Sequence, residues 1–514
     1  MREKLLVDIF GKLGTGHLLL TANNRLNLYL QKRFNDFHKN SVWPESIQSF
    51  NGFWHELWQR LSESHSLPTL LTPQQTTHLW QNTIEKWYQT NEIPKCNVRS
   101  IAKAAEEAWS ICKQWNISLD NLANCDFPET KNFVLWAEAI TVFYQENNFT
   151  DNSSALRVLC DALSSIDNNQ LENLLPKSIQ LIGYIDKPPV LLQLLNLLKQ
   201  YGCDYEFISV QQEIAKAQSM HCYLSKEDEL RGAIEYAHKE LAKNSNKKIA
   251  IVVPDLHTQY HNIKRYCKEI FSPEKLLLHQ PEQKPKYAIS AGEALHKVPI
   301  IHDVLALFRT KLSPNLSDIK QLLLSPFMSG GISNYQDACQ IERALLENLT
   351  DSVSIAGVKN FLQKNFAKSP VVITLLEFLE LPTAKKTSIA EWKKYFLKLL
   401  QIFGWPQERV LTSAEHQAVA KFYDVLDNLE IFAIFDGKIT FYEVTHLLQL
   451  CLQKSLFQPQ SAKDAGLQIL GVFEAHGLCF DEIWICDTTS NAWPKMAKPS
   501  KLLPIKLQLE LNTP

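Results

Sequence analysis

Glycine is scarce, with sixteen in 514 residues, under half the usual share of about 7%. A fold of many tight β-turns is excluded, and helix-rich architecture is expected. The eleven cysteines contain no C-x-x-C pair, so neither a zinc ribbon nor a redox dithiol is signalled. Scattered in a chain of this size, they read as reduced thiols that mostly fill the core as small apolar groups. No apolar run approaches the roughly 18 residues of a transmembrane helix, so no membrane partner is expected. Asp8 and Lys12 interrupt the N-terminal MREKLLVDIFGK, which leaves no signal-peptide core and implies a cytoplasmic protein. Charge of one sign is also missing. Lys and Arg total 53 against 55 Asp and Glu, a net charge of −2, and no basic block stands out. That speaks against a protein that coats DNA by charge alone, but not against a channel built from separate segments.

Apolar material is plentiful, at 45% hydrophobic residues with twelve Trp and twenty-five Phe. A chain of this length divides into two to four domains. After a short helix and Gly11, Gly14 and Gly16, HLLLTANNR reads as a buried strand and LNLYLQKRFNDF as a helix. Residues 44–170 read as an all-helical insertion, with Phe53, Trp54, Leu57 and Trp58 on one core-facing side. SIQLIGYID reads as a strand ending at Asp186, followed by a helix, and YEFISV as another strand. An amphipathic helix over 227–244 leads into IAIVVPD, a run typical of parallel sheet. Residues 295–460 return to helix, broken at Pro314, Ser325-Pro326, Gly330-Gly331, Pro382 and Gly404-Trp405-Pro406. Near the C-terminus an apolar run, LQILGVFE, passes through the turn AHGLCF to a second strand, DEIWIC. Strands alternating with helices predict parallel α/β units carrying two large helical insertions.

The segment Leu467–Pro494 resembles the strand–turn–strand of motif V in superfamily 1 helicases of the UvrD type, where the turn reads roughly T-x-H-x-A-K-G-L-E-F. Ala475, Gly477, Leu478 and Phe480 keep the framework. Gly471 takes the Thr position, Phe473 the His position, Glu474 the Ser position and His476 the Lys position. More closely, the chain resembles a bacterial family of AddB-like DNA repair proteins, similar to the second subunit of the AddAB helicase–nuclease. Four stretches carry this. Leu20–Leu26 (LTANNRL) is similar to the family's T-x-N-R-R-L. Leu181–Asp186 is similar to its G-F-D strand end, and Ile251–Leu256 to its V-V-P-D-L. Gly471–Pro494, with Lys498-Pro499, Leu502-Leu503-Pro504 and Gln508, is similar to its G-L-x-F-D…W-P…P-x-x-x-L-P…Q. The family has Gly where this chain has Asp487. It also continues into a C-terminal nuclease of the PD-(D/E)xK type, whereas this sequence ends at Pro514.

The resemblance implies two RecA-like parallel-sheet domains in a superfamily 1 helicase-like arrangement. The first would comprise residues 1–43 and 171–225, with 44–170 inserted. The second would comprise 226–294 and 461–514, with 295–460 inserted.

The chemistry of an active member is harder to find. An ATPase of this class needs G-x-x-x-x-G-K-[ST], so that backbone N–H groups and a Lys hold the phosphates. Gly11-Lys12-Leu13-Gly14-Thr15-Gly16-His17 is Gly-rich, but it precedes the strand and no Gly-Lys-Ser/Thr closes it. Asp186 stands alone where an acidic Walker B pair is required, and reads better as a cap on the following helix. The motif VI arginine is absent from the sequence. Glu391-Trp392-Lys393 spells E-x-K, but inside an amphipathic helix rather than on a strand. His257 and His261 have helical i, i+4 spacing without the further ligands a zinc ion needs.

No catalytic residue, metal site or cofactor is therefore expected. The candidate DNA contacts are Thr21, Asn23, Asn24 and Arg25 after the first strand, Glu474 and His476 in the altered turn, and Trp493, with Asp186 as a degenerate ATPase position. Asn23-Asn24 reads equally well as a helix N-cap, and Trp493 as packing. The expected role is a catalytically silent, DNA-binding helicase-like scaffold in repair or recombination. Its partners would be single-stranded or junction DNA and an ATP-hydrolysing helicase subunit. Two alternatives stay open: the DNA-positioning half of a PD-(D/E)xK exonuclease, and a helical protein-interaction scaffold without a DNA role.

Overall fold

The computed structural model describes residues 3–513 apart from 15, 39–45, 93–96, 167–174, 210–216, 274–285, 314, 350–353, 407–408, 436, 459–464 and 494–496. Two compact units result. One contains Met1–Leu256, Arg265–Phe271 and Gly466–Pro514, the other His257–Lys264 and Ser272–Ala465. The chain is mixed α/β with small parallel sheets, and no helix is long and apolar enough to cross a membrane.

The first sheet is built from β1 (His17–Thr21), β2 (Ile47–Ser49), β5 (Ser178–Ile182) and β6 (Asp204–Ile208), all parallel, in the order β2-β1-β5-β6. Helices cover both faces, so the central strands are apolar nearly throughout. On one face, α1 (Glu3–Lys12) and α2 (Asn24–His38) pack Leu6, Ile9, Phe10, Leu26 and Leu30 against Leu19, Ile47 and Ile182. On the other, α3 (Phe50–Ser64), α8 (Asn152–Ser164) and α9 (Pro189–Gln200) bury Phe53, Leu57, Leu159 and Leu194 against Leu20, Ile179 and Leu181.

Between α3 and α8 the chain forms α4 (Pro73–Thr90), α5 (Val98–Gln114), α6 (Leu119–Ala123) and α7 (Pro128–Asn147). Trp80 stacks on Phe133 and meets Trp109 edge-on. The buried carboxylate of Asp151 takes hydrogen bonds from Trp109 Nε1 at 2.7 Å and the Tyr144 hydroxyl at 3.0 Å. Residues 44–170 are not all helical, however. β2 lies inside this span and pairs with β1, and β3 (Thr69–Leu70) pairs with β4 (Phe149–Thr150). A strand of three residues is too short for a period-2 pattern to reveal.

In the same unit, α10 (Lys226–Lys243) leads into β7 (Ile249–Val252); α11 (Leu256–Phe271), which follows, is divided between the two units. β7 lies between β11 (Leu467–Leu470) and β12 (Glu482–Ile485), parallel to both. The apolar run LQILGVFE is thus only half strand. Gly471 begins a single helical turn, α20 (Val472–Ala475), which starts the crossover from one side of β7 to the other. α21 (Ile505–Glu510) closes the described chain.

The second unit carries β8 (Tyr287–Ile289) and an antiparallel pair, β9 (Glu293–Ala294) with β10 (Leu456–Phe457). Its helices are α12 (Pro299–Leu312), α13 (Leu316–Leu323), α14 (Tyr335–Asn348), α15 (Ile355–Phe366), α16 (Pro370–Glu380), α17 (Ile389–Ile402), α18 (Ser413–Asp427) and α19 (Phe441–Lys454). The expected breaks at Ser325-Pro326, Gly330-Gly331, Pro382 and Gly404-Trp405-Pro406 fall between these helices, and Pro314 lies outside the described residues. Phe308, Phe378, Trp392, Phe396 and Phe422 form the centre of one apolar core. Thr412 with Glu415, and Thr440 with Glu443, form capping boxes at the starts of α18 and α19.

Candidate functional site

A crevice of about 600 Å³ opens at the C-terminal edge of the first sheet. It lies where residues just after β1 (Ala22, Asn23) meet residues just after β5 (Gly183, Tyr184, Ile185, Asp186). From β1 the chain moves to β2 on one side, and from β5 to β6 on the other. In a parallel sheet this divergence leaves the strand ends uncovered, and ligands of such folds bind there. Phe473 and His476, from α20 and the turn after it, complete the wall. Sequence segments from both sheets therefore line one cavity.

Four helices begin at this crevice. It is lined by Asn23, which caps α2, by Phe50 and Asn51 of α3, by Asn152 and Ser153 of α8, and by Val190 and Leu191 of α9. Asn23 Oδ1 accepts the Leu26 N–H at 2.8 Å, the Ser49 hydroxyl accepts from Gly52 at 3.2 Å, and Asp151 accepts from Ser154 at 2.8 Å. No side chain caps α9. Each N-terminus contributes a partial positive charge, and together they favour an anion. Among the described residues the lining contains no Lys or Arg, and Asp186 is its single carboxylate. Phe50, Trp54, Tyr184 and Phe473 add flat apolar surface, and Phe473 is 75% exposed. Burial pushes the Tyr184 phenol up from its ordinary pKa. Its oxygen is enclosed and has no hydrogen-bond partner among the described residues.

Two glycines turn the chain at or next to the crevice lining. Gly183 (φ +85°) turns the chain out of β5, and Gly477 (φ +78°) turns it after α20. A β-carbon on Gly183 would lie 2.7 Å from Leu26 Cδ2, and one on Gly477 would lie 3.0 Å from Leu26 Cδ1. Leu26 is fully buried between them.

The sequence candidates are placed as follows. Thr21 is fully buried, and its hydroxyl donates to the Asn23 carbonyl at 2.9 Å, so it shapes the turn from within. β1 ends at Thr21, so Ala22–Arg25 do not extend the strand. Asn23 is an N-cap that also lines the crevice, and Asn24 is exposed in the first turn of α2. Arg25 Nη1 lies 4.0 Å from Glu474 Oε2. Burial lowers the Arg25 pKa, partly opposed by Glu474. Glu474 itself accepts the Gly471 N–H at 3.0 Å, which caps α20. His476 faces the crevice. Trp493 does not line it. Its indole N–H donates to the Cys486 carbonyl at 3.2 Å, within its own loop.

Two expectations for Asp186 need correction. β5 stops at Ile182, so Asp186 lies in the exposed turn beyond the strand, because Gly183 has already redirected the backbone. Nor does Asp186 cap α9, whose cap position is Pro188. Asp487, where the resembled family carries glycine, has φ +53°. Its N–H is held by the Glu229 carboxylate at 3.0 and 3.1 Å, and its side chain pairs with Lys226.

Glu391 and Lys393 are on α17, as expected of a helix, and pair with Lys394 and Asp427 respectively. His257 and His261 lie on α11, and His261 contacts Glu293 at 3.3 Å. Among the described residues no three His, Cys, Asp or Glu side chains cluster as metal ligands. Sequence reasoning did not single out Asn51, His55, Asn152 or Ser153. Ser49 and Asp151 mark helix starts by their residue type, but nothing in the sequence says those starts converge. No family model matches the chain, and no curated protein is significantly similar to it.

Proposed function

We propose that the chain is a catalytically silent, helicase-like DNA-binding scaffold of the AddB type. In this reading the two parallel sheets are the cores of RecA-like domains, and the helical blocks are their insertions. The observation that carries it is the meeting of three resembled segments in one crevice: Asn23 from LTANNRL, Gly183–Asp186 after β5, and His476 from the motif V-like turn. A single strand would lay phosphates toward the helix starts and a base against the exposed ring of Phe473. Arg25, two residues after the lining Asn23, offers a guanidinium for a phosphate.

ATP hydrolysis is not part of this role. The loop after β1 reads Ala22-Asn23-Asn24-Arg25, without the Gly-Lys-Ser/Thr that would grip and neutralise phosphates. The motive force would come from an ATP-hydrolysing partner subunit, within a repair or recombination nuclease. The test is fluorescence anisotropy with labelled single-stranded and junction DNA, comparing the unaltered chain with Phe473→Ala and His476→Ala. Phe473 is exposed on α20 and His476 is half-buried in the turn after it, and circular dichroism checks that both variants keep the fold. Weakening of about fivefold or more for Phe473→Ala supports the reading, since stacking one base is worth about 1–3 kcal/mol. DNA binding unaltered in both variants would remove the crevice from the DNA path.

A further inference from the structure

A second cavity, of about 350 Å³, lies at the opposite edge of the first sheet. It is lined by Lys12 at the end of α1, by His17 and Ser178 at the starts of β1 and β5, and by Gln180. Leu13 and Leu18 complete it. Of the Gly-rich stretch that fails as a phosphate loop, Lys12, Leu13 and His17 line this cavity and not the crevice. His17 Nδ1 and the Ser178 hydroxyl are hydrogen-bonded at 2.7 Å. Gln180 is only 9% exposed, and its Oε1 accepts no hydrogen bond among the described residues. A buried acceptor beside a cavity is costly unless something in the cavity donates to it.

We propose that this cavity binds a small oxyanion that still carries a proton, with hydrogenphosphate as the simplest case. The ammonium of Lys12 and the His17–Ser178 pair supply charge and hydrogen bonds for the anionic oxygens. The remaining P–OH donates to Gln180 Oε1. The site is independent of the DNA-binding reading.

The experiment is isothermal titration of the full chain with inorganic phosphate and with sulfate, at neutral pH and matched ionic strength. Sulfate has the same shape as phosphate but no proton. Saturable phosphate binding, tighter than sulfate by about tenfold or more, is expected from leaving Gln180 unmet in the sulfate complex. Gln180→Leu should abolish that preference. Lys12→Ala, at an exposed position that leaves folding intact by circular dichroism, should weaken both anions. Equal binding of the two anions, or no effect of Lys12→Ala on phosphate, would overturn the proposal. Absence of saturable phosphate binding would also overturn it and assign the Gln180 acceptor to water.

Discussion

Gly183 and Gly477 approach the same side chain from two different sheets. Both have left-handed backbone, and Leu26 fills the space their β-carbons would need. A non-glycine residue pays about 1–2 kcal/mol for that conformation alone. Overpacking a core adds about 1–3 kcal/mol. Gly183→Ala, with its 2.7 Å approach, is therefore expected to be the more damaging, by about 2–5 kcal/mol. Because both glycines press on Leu26, the double variant should deviate from additivity. Urea unfolding of the three variants measures this, and a fully additive pair would mean that Leu26 does not couple the two turns.

Asp487 occupies left-handed backbone that glycine would adopt freely. Asp is tolerated there better than most residues. Asp487→Gly relieves the backbone but loses the pair with Lys226, whose ammonium is exposed, so that the pair is worth at most about 1 kcal/mol. The net change should be near zero. Asp487→Ala loses the pair and keeps the strain, so it should destabilise by up to about 1 kcal/mol. Equal stability of the Gly and Ala variants in denaturant would show that the backbone conformation is not what limits this position.

The capping boxes of α18 and α19 make the second unit sensitive to acid. Burial pushes the Glu415 carboxyl up, but the Arg409 guanidinium and the Thr412 N–H and hydroxyl outweigh it and hold it below its ordinary value. The Thr440 N–H does the same for Glu443. A carboxylate with a lowered folded pKa stabilises fully above its unfolded pKa, about 4.3. That contribution disappears as pH falls through the folded value. Glu415→Gln and Glu443→Gln should lower stability at neutral pH and flatten its loss between neutrality and strongly acid solution. An unchanged pH profile in the double variant would assign the acid sensitivity elsewhere.

Arg25 is the cation that the crevice account uses for DNA. Removing one phosphate contact reduces the log–log salt slope for single-stranded DNA by about 0.7. Arg25→Ala should show that reduction together with weaker binding. Glu474→Gln, which releases Arg25 from its 4.0 Å neighbour, should bind DNA slightly more tightly. Weaker binding in Glu474→Gln would mean that the cap on α20 matters more than the freedom of Arg25.

The α/β alternation and the helical blocks were legible because buried strands such as IAIV and amphipathic helices such as residues 227–244 carry strong local patterns. What escaped was short or dependent on distant residues. β2 has three residues, and α20 a single turn set by Gly471 and Glu474. The apolar string LQILGVFE gives no sign of where strand yields to helix. Gly183 ended β5 four residues before the expected Asp186, because positive φ belongs to a backbone state that sequence spacing does not reveal. The crevice itself depends on strand order. Asn51, Asn152 and His476 are far apart in sequence, and only the sheet brings them together.

The central claim is best tested by the binding of single-stranded and junction DNA to the purified chain across a salt series, with and without ATP. The account predicts binding that weakens steadily as salt rises and is unchanged by ATP. No binding even at low salt, or an affinity that shifts when ATP is added, would contradict a silent DNA-guiding scaffold.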